Sequence, residues 1–509
     1  MDMRLIKENI QLEQPVGQGR GQTVVEGEIT LPGGLREEAR VLHAGGMAVV
    51  DRVEAMQDRV SVMGKVMFHA LYTQGDHTRV NAMEASADFS YMMELPGAQA
   101  RHVCQVDARV EHVDAMASGG RLNMKAVVAL YGTAMANQPV EAVSGITGVK
   151  DIESQAREMT VKRTVASGEG ETLLREEFAL PQGLAIRETL YATAYPQVTE
   201  VNGGMGKAGV RGHVQLEAVH ASDLPGKPVV VTRHTLPFEQ AVELKGEDGE
   251  MLRGRAVVRD VAVASQETGE NERTLRAEVL LTLQGWADRM EHMTLLDDAY
   301  TTAGEDLRLT AREVHCRVAD SMAQAAESGK TMLMLPEGTP PVRSVLCAFA
   351  SPVLTGWEQT GGRLTAEGML EITLLYMTDD SDEPVHVQQE EPFRLTFAAQ
   401  AGEQDHLTLT CGDVEASAIT SDRVEMRYIM HLDISGVREE TARLVTDALP
   451  VATGAPEGSI VLYFTQPGET LWDIAKRYRV PVKEIRELNP EVADELQPGQ
   501  GVVVWHRMK

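Results

Sequence analysis

The sequence predicts a mainly β protein: three tandem antiparallel sandwich-like or barrel-like repeats, followed by a small α+β module of βααβ order. Three observations carry this. A Leu-Pro-x-Gly segment recurs at Leu31-Pro32-Gly33-Gly34, Leu180-Pro181-Gln182-Gly183 and Leu335-Pro336-Glu337-Gly338. A glycine inside an alternating segment follows the proline of each start by 31 or 32 residues, at Gly64, Gly212 and Gly368, and a phenylalanine follows each glycine after 25 or 26 more, at Phe89, Phe238 and Phe393. Each unit then closes with strict period-two alternation, the pattern of a strand with one buried face. The alternating residues are Leu122, Met124, Ala126, Val128 and Leu130 in the first unit and Leu275, Ala277, Val279, Leu281 and Leu283 in the second. The third has Val424, Met426, Tyr428, Met430 and Leu432. Recurrence of three markers in one order is the signature of homologous repeats.

The expected divisions are a first repeat over 1–148, a second over 149–298 and a third over 299–445. A linker over 446–459 and a terminal module over 460–507 follow. A chain of 509 residues exceeds what one hydrophobic core serves, which agrees with several units. The connectors between units are mixed in period and are read as holding an extended strand that begins the next unit.

Forty-eight basic residues against 76 acidic ones give a formal charge of −28, so a nucleic-acid backbone is repelled over most of the surface. The first residues lack a basic stretch followed by an apolar run, and no later segment has the length of a membrane span. On these features the protein is expected to be made and kept in a cytoplasm. Cys104, Cys316, Cys347 and Cys411 form no CxxC pair and are expected to be reduced and mostly buried.

No catalytic constellation, metal site or cofactor loop is expected. Asn202-Gly203-Gly204-Met205-Gly206-Lys207-Ala208 has the wrong glycine spacing for a phosphate loop and reads as a hairpin turn. Gly17, Gly19 and Gly21 lack the flanking strand and helix of a dinucleotide site and read as loop glycines. Asp379-Asp380-Ser381-Asp382-Glu383-Pro384 reads as a solvated hairpin tip.

The strongest local signal is terminal. Leu462–Thr465 reads as a strand, Pro467-Gly468 as a turn, and Thr470 as the N-cap of a helix over Leu471–Tyr478 with Leu471, Ile474 and Ala475 inward. A second helix over Val482–Leu488 points Ile485 and Leu488 inward, and Pro498-Gly499 turns the chain into a strand over Gly501–Trp505. Gln466-Pro467-Gly468-Glu469-Thr470-Leu471-Trp472, Asn489-Pro490 and Leu496-Gln497-Pro498-Gly499-Gln500 closely resemble the LysM family. That resemblance implies a shallow groove for N-acetylglucosamine glycans such as peptidoglycan, formed by Gly468, Glu469, Thr470 and Leu471 on one side and Asn489, Pro490, Glu491 and Val492 on the other. Its ligand is left open between glycan and protein.

With the three Leu-Pro-x-Gly starts and Asp298-Ala299-Tyr300, the whole architecture resembles the SPOCS-domain spore coat family of clostridia. The resemblance implies a mother-cell protein that helps attach the coat to the forespore surface, its LysM module contacting the coat ATPase SpoIVA. The leading expectation is therefore a non-enzymatic assembly scaffold. The alternative is a peptidoglycan-binding protein at the cortex or wall.

Overall fold

The computed structural model describes residues 3–32, 38–180, 184, 186–224, 226–269, 272–452, 460–493 and 496–505. The first unit contains β1 (Arg4–Thr30), β2 (Ala39–Met56), β3 (Arg59–Gln74), β4 (Val80–Glu94), β5 (Val103–Ser118) and β6 (Arg121–Thr147). The second contains β7 (Ile152–Ala179), β8 (Ile186–Gly203), β9 (Lys207–Leu224), β10 (Lys227–Glu243), the two-residue β11 (Lys245–Gly246), β12 (Met251–Gly269) and β13 (Glu272–Thr301). The third contains β14 (Asp306–Met334), β15 (Ser344–Thr360), β16 (Arg363–Met377), β17 (Val385–Phe397), β18 (His406–Thr420) and β19 (Arg423–Val451). The terminal module is β20 (Ile460–Phe464), α1 (Leu471–Tyr478), α2 (Val482–Leu488) and β21 (Gly501–Trp505).

Every unit packs two antiparallel sheets face to face. In the first, β1-β6-β5 covers β2-β3-β4; β7-β13-β12, extended by β11 beside β7, covers β8-β9-β10; and β14-β19-β18 covers β15-β16-β17. The glycine and phenylalanine markers are direct cross-strand partners in each unit: Gly64 faces Phe89, Gly212 faces Phe238 and Gly368 faces Phe393. A β-carbon on any of these glycines would meet both the ring and a backbone oxygen of the neighbouring strand, so the spacing records a close approach only glycine permits. The alternating residues of β6, β13 and β19 are all buried, and all except Leu275 belong to the core cluster of their own unit.

The first and last strands of each unit outrun the sandwich, and their free halves build the joint between units. Ile10, Leu12, Val140 and Ala142 from the first unit meet Met159, Val161 and Leu295 from the second and Val314, Cys316, Ala442 and Leu444 from the third in one cluster. Beside it lies a sealed ionic network. Arg317 pairs with Glu13 at 2.6 Å and Asp320 at 2.5 Å, Lys162 with Asp320 at 2.6 Å and Asp288 at 3.1 Å, and Arg253 with Asp288 at 2.5 Å. Three carboxylates face three cations, with members from all three units. Burial works against charge on Asp288 and Asp320, but hydrogen bonds and cations, Arg253 foremost for Asp288 and Arg317 for Asp320, hold both acids below their ordinary range. A second joint gathers Leu71, Val219 and Leu375, which hold equivalent positions in β3, β9 and β16. There His43 stacks on Phe349 at 3.8 Å and His69 on Tyr191 at 3.6 Å.

Three expectations need correction. Gly17, Gly19 and Gly21 lie within β1, not in a loop. They let β1 pass against β4, where a β-carbon would strike Pro96 O, Glu94 O or the Tyr91 ring. Residues 446–451, expected in the linker, continue β19 along β14 as far as Val451 opposite Asp306. Their mixed period arises because this half of the strand leaves the sandwich for the joint between units. Leu488 is exposed, and Ile485 alone of the two faces the core. Cys104 is half-buried, whereas Cys316, Cys347 and Cys411 are buried; all four are free thiols. The hairpin readings of Gly203–Gly206 and of Asp379–Pro384 match the turns between β8 and β9 and between β16 and β17. Gly33 and Gly34, the Pro181–Gly183 stretch and residues 453–459 lie outside the described residues.

Candidate functional site

The terminal module folds around Leu471, Ile474, Ala475, Val480, Ile485, Val502 and Val504. Thr470 caps α1 through a reciprocal box: its Oγ1 accepts from Asp473 N–H at 3.3 Å, and Asp473 Oδ2 accepts from Thr470 N–H at 2.8 Å. Gly468 takes φ 79°, which suits the glycine, and a β-carbon there would meet open space.

Several of the eight expected groove residues serve the fold. Glu469 accepts from Tyr463 O–H at 2.7 Å, Gln466 N–H at 2.8 Å and Arg477 Nη2 at 2.6 Å, and these bonds, led by the Gln466 amide, hold its carboxyl below the usual range. Leu471 is a core residue and Val492 packs on the same cluster. The Asn489 side-chain amide donates to Ile485 O and Val503 O at 2.7 Å while its Oδ1 accepts from Val503 N–H at 2.8 Å, tying the end of α2 to β21. Gly468, Thr470, Pro490 and Glu491 remain exposed. The two loops therefore share a core through Leu471 and Val492 and turn few free polar groups outward.

Two surfaces of the module escaped the sequence reading. Antiparallel pairing puts Ile460 opposite Trp505 and Leu462 opposite Val503. The outer face of this hairpin shows Ile460, Leu462 and Phe464 at 72%, 57% and 56% exposure, with Trp505 beside them at 37%. Tyr463, Val502 and Val504 fill the inner face. The second surface is occupied by the body: Trp472 Nε1–H and Lys476 Nζ both donate to Asp298, and Tyr300 O–H donates to Val480 O at 2.8 Å. Asp298-Ala299-Tyr300 was visible in the sequence as a tripeptide without a role.

Elsewhere, a cavity of about 620 Å³ opens between the second and third units, lined by Arg233, Lys330, Asp413, Glu415 and Arg427 among others. Arg233 is paired with Glu217 and Glu415, and Lys330 and Arg427 both with Glu425, so these three cations already have carboxylate partners. Among the described residues no cluster of His, Cys, Asp and Glu has a metal-holding arrangement, and no helix is long and apolar enough to cross a membrane.

Comparison with known families matches residues 39–118 to the model described as "SipL, SPOCS domain" and residues 463–505 to the LysM domain. The chain carries a SPOCS domain and a LysM domain. The SPOCS match begins with β2 and ends with β5, and the second and third units repeat that strand order. The match ties the first unit to a sporulation family. The LysM match adds a module of the peptidoglycan-binding class, and both are binding domains rather than catalytic ones. The chain is similar to "Uncharacterized protein YkzQ" of Bacillus subtilis (strain 168), with 37% identity over 46 residues, 9% of this chain and 61% of the relative. No solved structure matches the chain.

Proposed function

We propose that the chain is a non-enzymatic spore-coat assembly scaffold of the mother-cell cytoplasm, working at the forespore surface, whose LysM module docks a SpoIVA-like coat morphogenetic ATPase. The observation that carries this reading is the apolar outer face of the β20–β21 hairpin. Side chains as large as Ile460, Leu462 and Phe464 grouped on one exposed face are what a protein partner buries. Gly468, Thr470, Pro490 and Glu491 form the exposed loop surface of the same module.

A second reading, binding of N-acetylglucosamine glycans in the groove between the 468–471 and 489–492 loops, is favoured by the LysM match and by the open space over Gly468. Calorimetry on the full chain separates the two, with a SpoIVA-like ATPase and a hexamer of N-acetylglucosamine as titrants. The docking reading expects heat from the ATPase that Phe464→Asp abolishes and Pro490→Trp leaves. Heat from the sugar alone, lost with Pro490→Trp, would transfer the function to the groove.

A further inference from the structure

The LysM module is joined to the body by more than its tether. Tyr300, at the end of β13, is 0% exposed and belongs to the same apolar cluster as Leu471, Ile474, Ala475, Val480 and Ile485. Its ring meets Trp472 edge-on with centroids 5.0 Å apart, its hydroxyl donates to Val480 O, and burial pushes its phenol above the ordinary value. The second unit thus contributes a core residue to the module.

Polar groups fix the orientation around that ring. Asp298 receives Trp472 Nε1–H at 2.8 Å and the Lys476 ammonium at 2.5 and 2.7 Å. Arg479 ends α1 in the left-handed conformation at φ 52°, a position that favours glycine. Its guanidinium is buried and reaches back to Thr301 O at 2.9 Å, Thr301 Oγ1 at 2.8 Å and Gly304 O at 2.8 Å. A non-glycine side chain at this left-handed cap is explained by what its far end does, and here that is to grip the body.

The repeats supply an internal control. All three closing strands skip one residue in register shortly before their ends, at Ser144, Asp297 and Thr446, and then continue as Gly145-Ile146-Thr147, Asp298-Ala299-Tyr300 and Asp447-Ala448-Leu449. Asp298 and Asp447 even accept the same local bond, from the next residue's N–H at 2.9 and 3.0 Å. Only the second unit combines the carboxylate with a tyrosine; Leu449, at Tyr300's position in the third, is 53% exposed.

We propose that Asp298, Tyr300 and Thr301 form an intrachain receptor that completes the LysM core and holds the module in one orientation, hiding the Trp472–Lys476–Arg479 face and presenting the hairpin face outward. This holds whichever ligand the module takes. A partner must then bind the docked module through its remaining surface, and a fragment beginning at residue 446 lacks part of its own core.

Native-state hydrogen exchange on the full chain, without ligand, tests this independently of any partner. In Tyr300→Ala the amides of α1 are expected to exchange about tenfold faster or more, and in Asp298→Ala several-fold faster, while β6 and β19 stay unchanged. Leu449→Ala should leave α1 as in the parent. If Tyr300→Ala does not fold, Arg479→Lys probes the receptor from the module side, because one ammonium cannot reproduce the planar three-bond grip. Parental exchange of α1 in Tyr300→Ala, or in Arg479→Lys where that variant is the one measured, overturns the receptor.

Discussion

Two of this molecule's joints rest on ion pairs, and they are built from similar side chains to different effect. Between the three repeats, Asp288 is 0% exposed and Arg317 and Lys162 are 3% and 7%, with Arg253 the outermost member at 20%, so most of the charge is sealed among strands from every unit. Between body and LysM module, Asp298 and Lys476 keep 19% and 39% of their side-chain surface in water. A sealed charge network is costly to open by one member because the partners remain buried without compensation. A half-solvated pair around one buried tyrosine is easier to release. The first joint makes one body of three repeats, and the second sets how that body carries its binding module.

The largest expected effect breaks the first joint. Asp288→Ala leaves Lys162, Arg253 and Arg317 short of a carboxylate and is expected to cost about 3–5 kcal/mol of body stability, read from denaturant midpoints. Tyr300→Ala attacks the second joint, removing a buried ring at a cost of about 3 kcal/mol confined to the module, visible as an early transition in calorimetry. Acid should separate the joints by another route. Burial lowers the His43 pKa from 6.5 to about 3 and His69 well below 6.5. Both are then neutral in the folded chain while the unfolded chain takes up protons as pH falls below 6.5. The body therefore loses up to about 1.4 kcal/mol per pH unit for each histidine on that descent. The module's dock, formed by Asp298, Tyr300, Thr301, Trp472, Lys476 and Arg479, contains no histidine, so His43→Leu should flatten the slope for the body and leave the dock untouched. The smallest effects sharpen the contrast: Asp298→Ala, at a half-exposed pair, should cost about 1 kcal/mol, and Leu449→Ala at the unused third position no more than about 0.5 kcal/mol.

How much of this was legible follows from where each feature gets its cause. The Gly64–Phe89 type of pair and the alternation of β6, β13 and β19 are local in spacing and periodicity, so sequence alone reveals repeats and strands. The helices of the LysM module were legible through Thr470, Leu471, Ile474 and Ala475 because caps and stripes are local too. By contrast, Glu13, Lys162, Arg253, Asp288, Arg317 and Asp320 are scattered over more than 300 residues and meet only once the long strands cross. Gly17, Gly19 and Gly21 misled for the same reason: the strand that requires them, β4, lies in the opposite sheet. In the candidate groove, sequence placed the loops but not the inward commitment of Glu469 and Asn489, whose partners Tyr463, Arg477 and Val503 are set by tertiary packing. At the end of α2 Leu488 faces outward, while Ile485 is buried and Val482 packs on the module core.

The most direct test of a docked module that recruits protein through its hairpin is hydrogen exchange on the full chain, with and without the SpoIVA-like ATPase. The account predicts added protection over 460–464 and 501–505, with the α1 amides, already covered by the body, unchanged. Protection confined to the sheets of the three repeats, with the hairpin as open as in the free chain, would contradict it.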